Sequence, residues 1–171
     1  KANEIKIYSD KIIYNQKSNI VTSYEDTNFK IDNKYKIFSK NIFYDRTAQN
    51  IYSNEETIIE DNDKNIYKIK EKFNFDITQE VIKSKKSLVL DKNDNKYIFD
   101  NIIINLKNKE IAGKEIKIEF EDSYFGNKSN DPIVKGRSGH SNKEKLKVYK
   151  AVFSTCNIEN KRCRGWELYS D

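Results

Sequence analysis

Four pairs of alternating apolar residues recur along the chain at nearly constant intervals: Ile5/Ile7, Tyr35/Ile37, Tyr67/Ile69 and Tyr97/Phe99 start 30, 32 and 30 residues apart. A period this regular constrains the fold strongly, because each unit must bury its apolar side against its neighbours in the same way. Each first pair is followed by a second, Ile12/Tyr14, Ile42/Tyr44, Phe73/Phe75 and Ile102/Ile104, and then by a third run opening at Ile20, Ile51, Val81 and Ile111. Alternation over so few residues marks half-buried strands, so each unit holds about three of them. Helical periodicity is nearly absent, and the chain reads as all-β.

The turns fit this reading. "YNQKSNI", "YDRTAQNI", "FDITQEV" and "INLKNKEI" occupy equivalent places, and "IDNKY", "EDNDKNIY" and "DKNDNKY" mark the other corner of each unit. Asn and Asp tolerate left-handed backbone and bond to nearby amides, so five Gly and one Pro are enough for the whole chain. In the first two units the apolar phase changes from odd to even positions between the pairs, and a bulge or bend there restores both pairs to one face. A sheet with one apolar and one polar face curls over its apolar side, giving a sandwich, jelly roll or β-solenoid. The apolar stripe then forms either an ordinary core or an elongated trough for a greasy ligand.

The 171 residues suit one domain. Hydrophobic residues are 36 % and charged residues 35 %, polar for a globular protein but too rich in Ile, Tyr and Phe for disorder. A net charge of +5 from interspersed signs describes a solvated mixed surface. No apolar run approaches the ~18 residues of a membrane span. The opening "KANEIKIYSD" has no signal-peptide stretch, and the chain is read as a fragment with a trimmed start and a missing C-terminal continuation.

Catalytic signals are lacking. The single histidine, His140, sits in "KGRSGHSNKEK", expected to be a surface loop, with no acid or oxyanion motif framing it. No phosphate loop, HExxH or calcium loop occurs, and no cofactor or metal is expected. The aromatics of "KYKIFSKNIFYDR" fall on the alternating apolar face, which argues against nucleic-acid stacking. Cys156 and Cys163 cannot complete a zinc shell with one remote histidine. They are disulfide candidates in an oxidising compartment, or else two reduced thiols.

The repeat, in units such as "SDKIIYNQKSNIV" and "SKNIFYDRTAQNIY", resembles the OstA-like domain of bacterial lipopolysaccharide-transport proteins over about residues 3–120. The later "SYFGNKSNDPIVKGRS", followed by "YKAVFSTC", a second Cys and Trp166, is similar to the end of the periplasmic domain in the LptD family of outer-membrane assembly proteins. Members commonly have Pro before this Trp, where Arg164 and Gly165 stand here. The resemblance implies an OstA-like jelly roll, or β-taco, of four repeats with an open hydrophobic trough. It implies a repeat domain over 1–122, an irregular mobile loop over 123–145, and final strands with the cysteines over 146–171, leading to an absent barrel.

Expected function is transport without catalysis, at the periplasmic face of the outer membrane. The partners implied are lipopolysaccharide, the periplasmic bridge protein LptA, the barrel of the same chain and its lipoprotein plug LptE, with no nucleic acid. Lipid-facing residues are expected at Ile12, Tyr14, Phe29, Ile31, Ile42, Tyr44, Phe73, Phe75, Leu88, Leu90, Ile116 and Ile118. A bridge-docking edge strand is expected over Glu4, Ile5, Lys6, Ile7 and Tyr8. In the family, cysteines of this domain can bond to cysteines of the barrel. The alternatives are a bridge protein like LptA or LptC, and a structural β-solenoid or adhesin module with a closed core.

Overall fold

The computed structural model describes residues 3–121, 132–142, 144–155 and 167–170. Its regular elements are all strands: β1 (Ile5–Tyr8), β2 (Lys11–Asn15), β3 (Ile20–Tyr24), β4 (Asp26–Ile31), β5 (Tyr35–Lys40), β6 (Phe43–Asp45), β7 (Asn50–Ser53), β8 (Thr57–Asp61), β9 (Ile66–Ile69), β10 (Phe73–Asp76), β11 (Val81–Leu90), β12 (Lys96–Asn105), β13 (Glu110–Glu119), β14 (Ile133–Ser141), β15 (Leu146–Ser154) and β16 (Glu167–Tyr169). All pair antiparallel in one sheet.

That sheet is a folded meander. β1 and β2 are the two arms of one bent strand, as are β3 and β4, β5 and β6, β7 and β8, and β9 and β10. One set of arms, β1-β4-β5-β8-β9, forms a first wall and the other, β2-β3-β6-β7-β10, a second. β11 crosses the bend unbroken, pairing β10 through Val81–Ser84 and β9 through Ser87–Leu90. β12 to β15 continue the meander as whole strands. The walls face each other, since Phe29 of the first meets Tyr44 of the second edge-on at 5.6 Å, and Tyr35 meets Phe75 at 5.5 Å.

Local chemistry produces the bends. Among the described residues twelve other than glycine have positive φ, and they fall in three rows. Asn19, Gln49, Glu80 and Lys109 close the turns of the second wall, which Asn15, Asp45, Asp76 and Asn105 open by accepting amide hydrogen bonds two or three residues ahead. Asp32, Lys64 and Asp94 lie in the turns of the first wall. Glu25, Asn41, Lys86, Glu115 and Lys150 lie along the crease between the walls.

The crease corrects two of the expected interior positions. In β11, Ile82 and Ser84 point inward, Lys86 adopts φ 46° and drops out of the pairing register, and Ser87 and Val89 then point inward. Leu88 and Leu90 therefore lie on the outer face, opposite Ile98 and Lys96. The phase change inferred for the first two units recurs here, and an even count from Ile82 misses it.

The expected irregular segment is also revised, because 133–141 is the regular strand β14, paired to β13 and β15. Glycine has a packing purpose here rather than a loop-forming one. A Cβ on Gly139 would stand 2.6 Å from Ile116 Cδ1 and 2.8 Å from the Lys147 carbonyl oxygen, so only glycine lets the strands approach. His140 accordingly sits exposed on a strand, opposite Ala112 and Lys147. Residues 123–131 and 143 of that segment, and Cys156, Cys163 and Trp166, lie outside the described residues.

Candidate functional site

The space between the walls is the candidate site. Phe29 and Ile31 from β4, Phe73 and Phe75 from β10, Ile116 and Ile118 from β13, and Ile42 and Tyr44 at β6 are all buried in one continuous apolar cluster. These eight expected residues come together, joined by others of the same period such as Ile37, Tyr67, Ile69 and Phe99. Ladder hydrogen bonds run along each wall, whereas side-chain contacts hold the walls to each other.

Ile12 and Tyr14 differ in exposure. Register places them opposite Ser23 and Val21, on the inward side, yet each is 45 % exposed. Among the described residues β2 pairs only β3, and β1 only β4, so the apolar lining emerges into the open at this end. Ile5 and Ile7 continue the same lining, opposite Ile31 and Phe29, and are partly buried. The Glu4 carbonyl accepts from the Asp32 amide. By strand alternation the backbone groups of Ile5 and Ile7 then point away from β4, toward the free edge.

Two further features line the trough. At the crease, buried hydroxyls replace apolar groups: Thr57 Oγ1 donates to Ser39 Oγ at 2.9 Å, Ser39 Oγ to the Glu56 carbonyl at 2.9 Å, and Ser53 Oγ to the Lys40 carbonyl at 3.1 Å. Small hydroxyls allow a sharp fold and satisfy carbonyls that the bend removes from the ladders. At the mouth, turns of the two walls meet over a cleft of about 540 Å³. Lys34 Nζ pairs with Glu80 Oε1 at 2.9 Å, Tyr35 OH donates to Glu80 Oε2 at 3.1 Å, and Lys109 pairs with Asp63. The pairs span 46 residues each, so they repeat once along the mouth.

Electrostatics follow from this placement. The hydrogen bond from Lys34 holds the Glu80 carboxyl below its ordinary range, with the Tyr35 hydroxyl assisting. Burial pushes the Tyr35 and Tyr67 phenols well up, helped by Glu80 and Asp61 respectively. Tyr67 and Tyr97 each donate to an aspartate of the preceding turn, Asp61 at 2.8 Å and Asp91 at 3.1 Å, so their polar tips face the mouth while their rings line the interior. Among the described residues no three His, Cys, Asp or Glu side chains converge to hold a metal ion.

This architecture matches a solved structure: LptH, the LptA homologous periplasmic component of the conserved lipopolysaccharide transport device from Pseudomonas aeruginosa, at a TM-score of 0.57 and 13 % identity, over 65 % of this chain and 82 % of that one. The chain shares the fold of LptH. No family model matches the sequence, and no curated protein matches it significantly. The shared fold is the OstA-like jelly roll that the resemblance implies.

The mouth pairs and the crease hydroxyls are the features that the apolar pattern missed. The hydroxyls carry a signal, since Thr27, Thr57 and Ser87 stand 30 residues apart, in step with the apolar repeat. The mouth pairs carry none, because their lysines and carboxylates sit among many others in turns.

Proposed function

We propose that this chain carries lipopolysaccharide, with acyl chains between the walls and the saccharide outside the mouth. The observation that supports it best is the apolar lining that surfaces at Ile12 and Tyr14 beside an unpaired edge. Each buried methylene is worth about 0.8 kcal/mol, so an acyl chain of about 14 carbons strongly favours such a channel over water. Acyl chains enter by exchanging one set of apolar contacts for another, while the ladders within each wall remain intact.

The finer reading is the periplasmic domain of an LptD-type assembly protein at the outer membrane. An LptA-type bridge pairs with Ile5–Tyr8 and delivers the lipid, which passes to a barrel held with LptE. Cys156 and Cys163 then serve to join this domain covalently to that barrel. The second reading, a bridge protein like LptA or LptC, draws on the likeness to LptH and on the side of β15 at Leu146–Tyr149 that no strand pairs among the described residues, which offers a second edge for head-to-tail assembly.

Photo-crosslinking tests the shared claim. A benzophenone side chain at Ile7 or Tyr44 is expected to capture lipopolysaccharide, and one at the outward Phe38 is not. Capture from Phe38 alone, or none from folded Ile7 and Tyr44 variants, overturns it.

A further inference from the structure

The outer face of the second wall carries a site unrelated to the apolar interior. Two cross-strand rows run over it. One is Lys85–Asn101–Lys114–Ser138, and the other is Asn74–Lys83–Ile103–Ala112. Neither row contains a carboxylate. Together with Tyr52 and Lys72 they line a cleft of about 930 Å³.

The contrast with the first wall is informative. There several outward lysines have acidic partners, among them Lys36 with Glu60 at 3.5 Å and Lys96 with Glu119 at 3.9 Å, and Lys30 lies over the Tyr8 ring. Lys72, Lys83, Lys85 and Lys114 take part in none of the ion pairs among the described residues. Glu71 near the rim is held by Lys86 at 2.6 Å. Four cations thus share a concave surface, and the one carboxylate within reach of Lys85, Glu71, is already paired to Lys86, so the excess positive charge attracts anions.

The remaining lining narrows the class of anion. Asn74, Asn101 and Ser138 present amides and a hydroxyl suited to ligand hydroxyls. Tyr52 is fixed by stacking on Phe43, with rings 5.1 Å apart and 8° from parallel, and Ile103 is 49 % exposed. Ile103 is the apolar surface beside the charges, and Tyr52 lies three strands away along the same row, beyond Asn74 and Lys83. Lys85 and Lys114 are separated by one strand, about 10 Å at the backbone, so their ammonium groups can converge on one phosphate over Asn101. The geometry points to a binding site for a phosphorylated saccharide on the outer face of the second wall: phosphate at Lys85 and Lys114, ring on Ile103. This site is independent of whether lipid occupies the interior.

Titration of the full chain with glucose 6-phosphate, glucose and inorganic phosphate, followed by backbone amide shifts, tests it. Glucose 6-phosphate is expected to shift the amides of Asn101, Lys114 and Ser138 and to bind more tightly than glucose or inorganic phosphate. Lys85→Gln and Lys114→Gln should each weaken it about tenfold, with unchanged melting because both side chains are exposed. Equal binding of inorganic phosphate, or shifts confined to Lys34 and Lys109 at the mouth, overturns the assignment. Binding to phosphatidylglycerol vesicles without a response to glucose 6-phosphate also overturns it, in favour of a membrane surface. Crosslinking of lipopolysaccharide from Tyr44 in the Lys85→Gln variant reads the interior separately, so failure of one site is distinguishable from failure of the other.

Discussion

Glu80 concentrates much of the mouth chemistry in one side chain, accepting from Lys34 and Tyr35 across the gap between walls. Its lowered carboxyl means that it contributes stability above the ordinary value of 4.5, and loses it as pH falls through the folded-state value. Lys34 is raised, so its share is present below 10.5 and fades as pH rises beyond the folded-state value. The contact is therefore intact through neutrality and released by acid. Glu80→Gln should lower stability at pH 7 by on the order of 1 kcal/mol, since the pair is largely solvated. Melting curves at pH 7 and pH 3 provide the check: the difference between variant and parent should shrink at pH 3. In lipid transfer the same variant should load faster, because the walls part with one contact fewer.

At the scale of single strands, β14 shows how composition misleads. Its glycines and serines suggest a loop, yet the strand fits because β13 and β15 close in on Gly139. Gly139→Ala should cost about 1–3 kcal/mol in denaturant unfolding, since the Lys147 carbonyl is backbone and cannot step aside. The walls themselves were legible: periodic Ile, Tyr and Phe identify β4, β5, β6 and β10 and orient them, because a two-residue period ties sequence parity to sheet face. Parity holds only until the chain bends. One residue inserted at Lys86 reverses it, so alternation carried on from Ile82 puts Leu88 and Leu90 inward although Val89 is the buried neighbour. Exposure at Ile12 and Tyr14 was illegible for another reason, since it depends on what lies beyond β2 and not on the strand's own pattern.

Taken whole, the molecule has an edge whose chemistry can be separated from its stability. Backbone groups of Ile5 and Ile7 face outward while their side chains face in, so proline at position 5 removes an outward donor and leaves the β1–β4 ladder in place. Ile5→Pro is expected to abolish binding of an LptA-type bridge, measured by interferometry, while the melting temperature stays near that of the parent. Undiminished binding would move the docking site to the β15 end. The meander has one more consequence. In the ladders every bent strand hydrogen-bonds only to its predecessor and its successor, so cooperativity passes along the row like a force along a chain of links, and the terminal links open most readily. A neighbour docked on β1 converts a terminal link into an internal one. Its stabilising effect should be greatest at β1 and β2 and fade strand by strand toward β11, making assembly itself the means by which the open end of the trough is kept in shape.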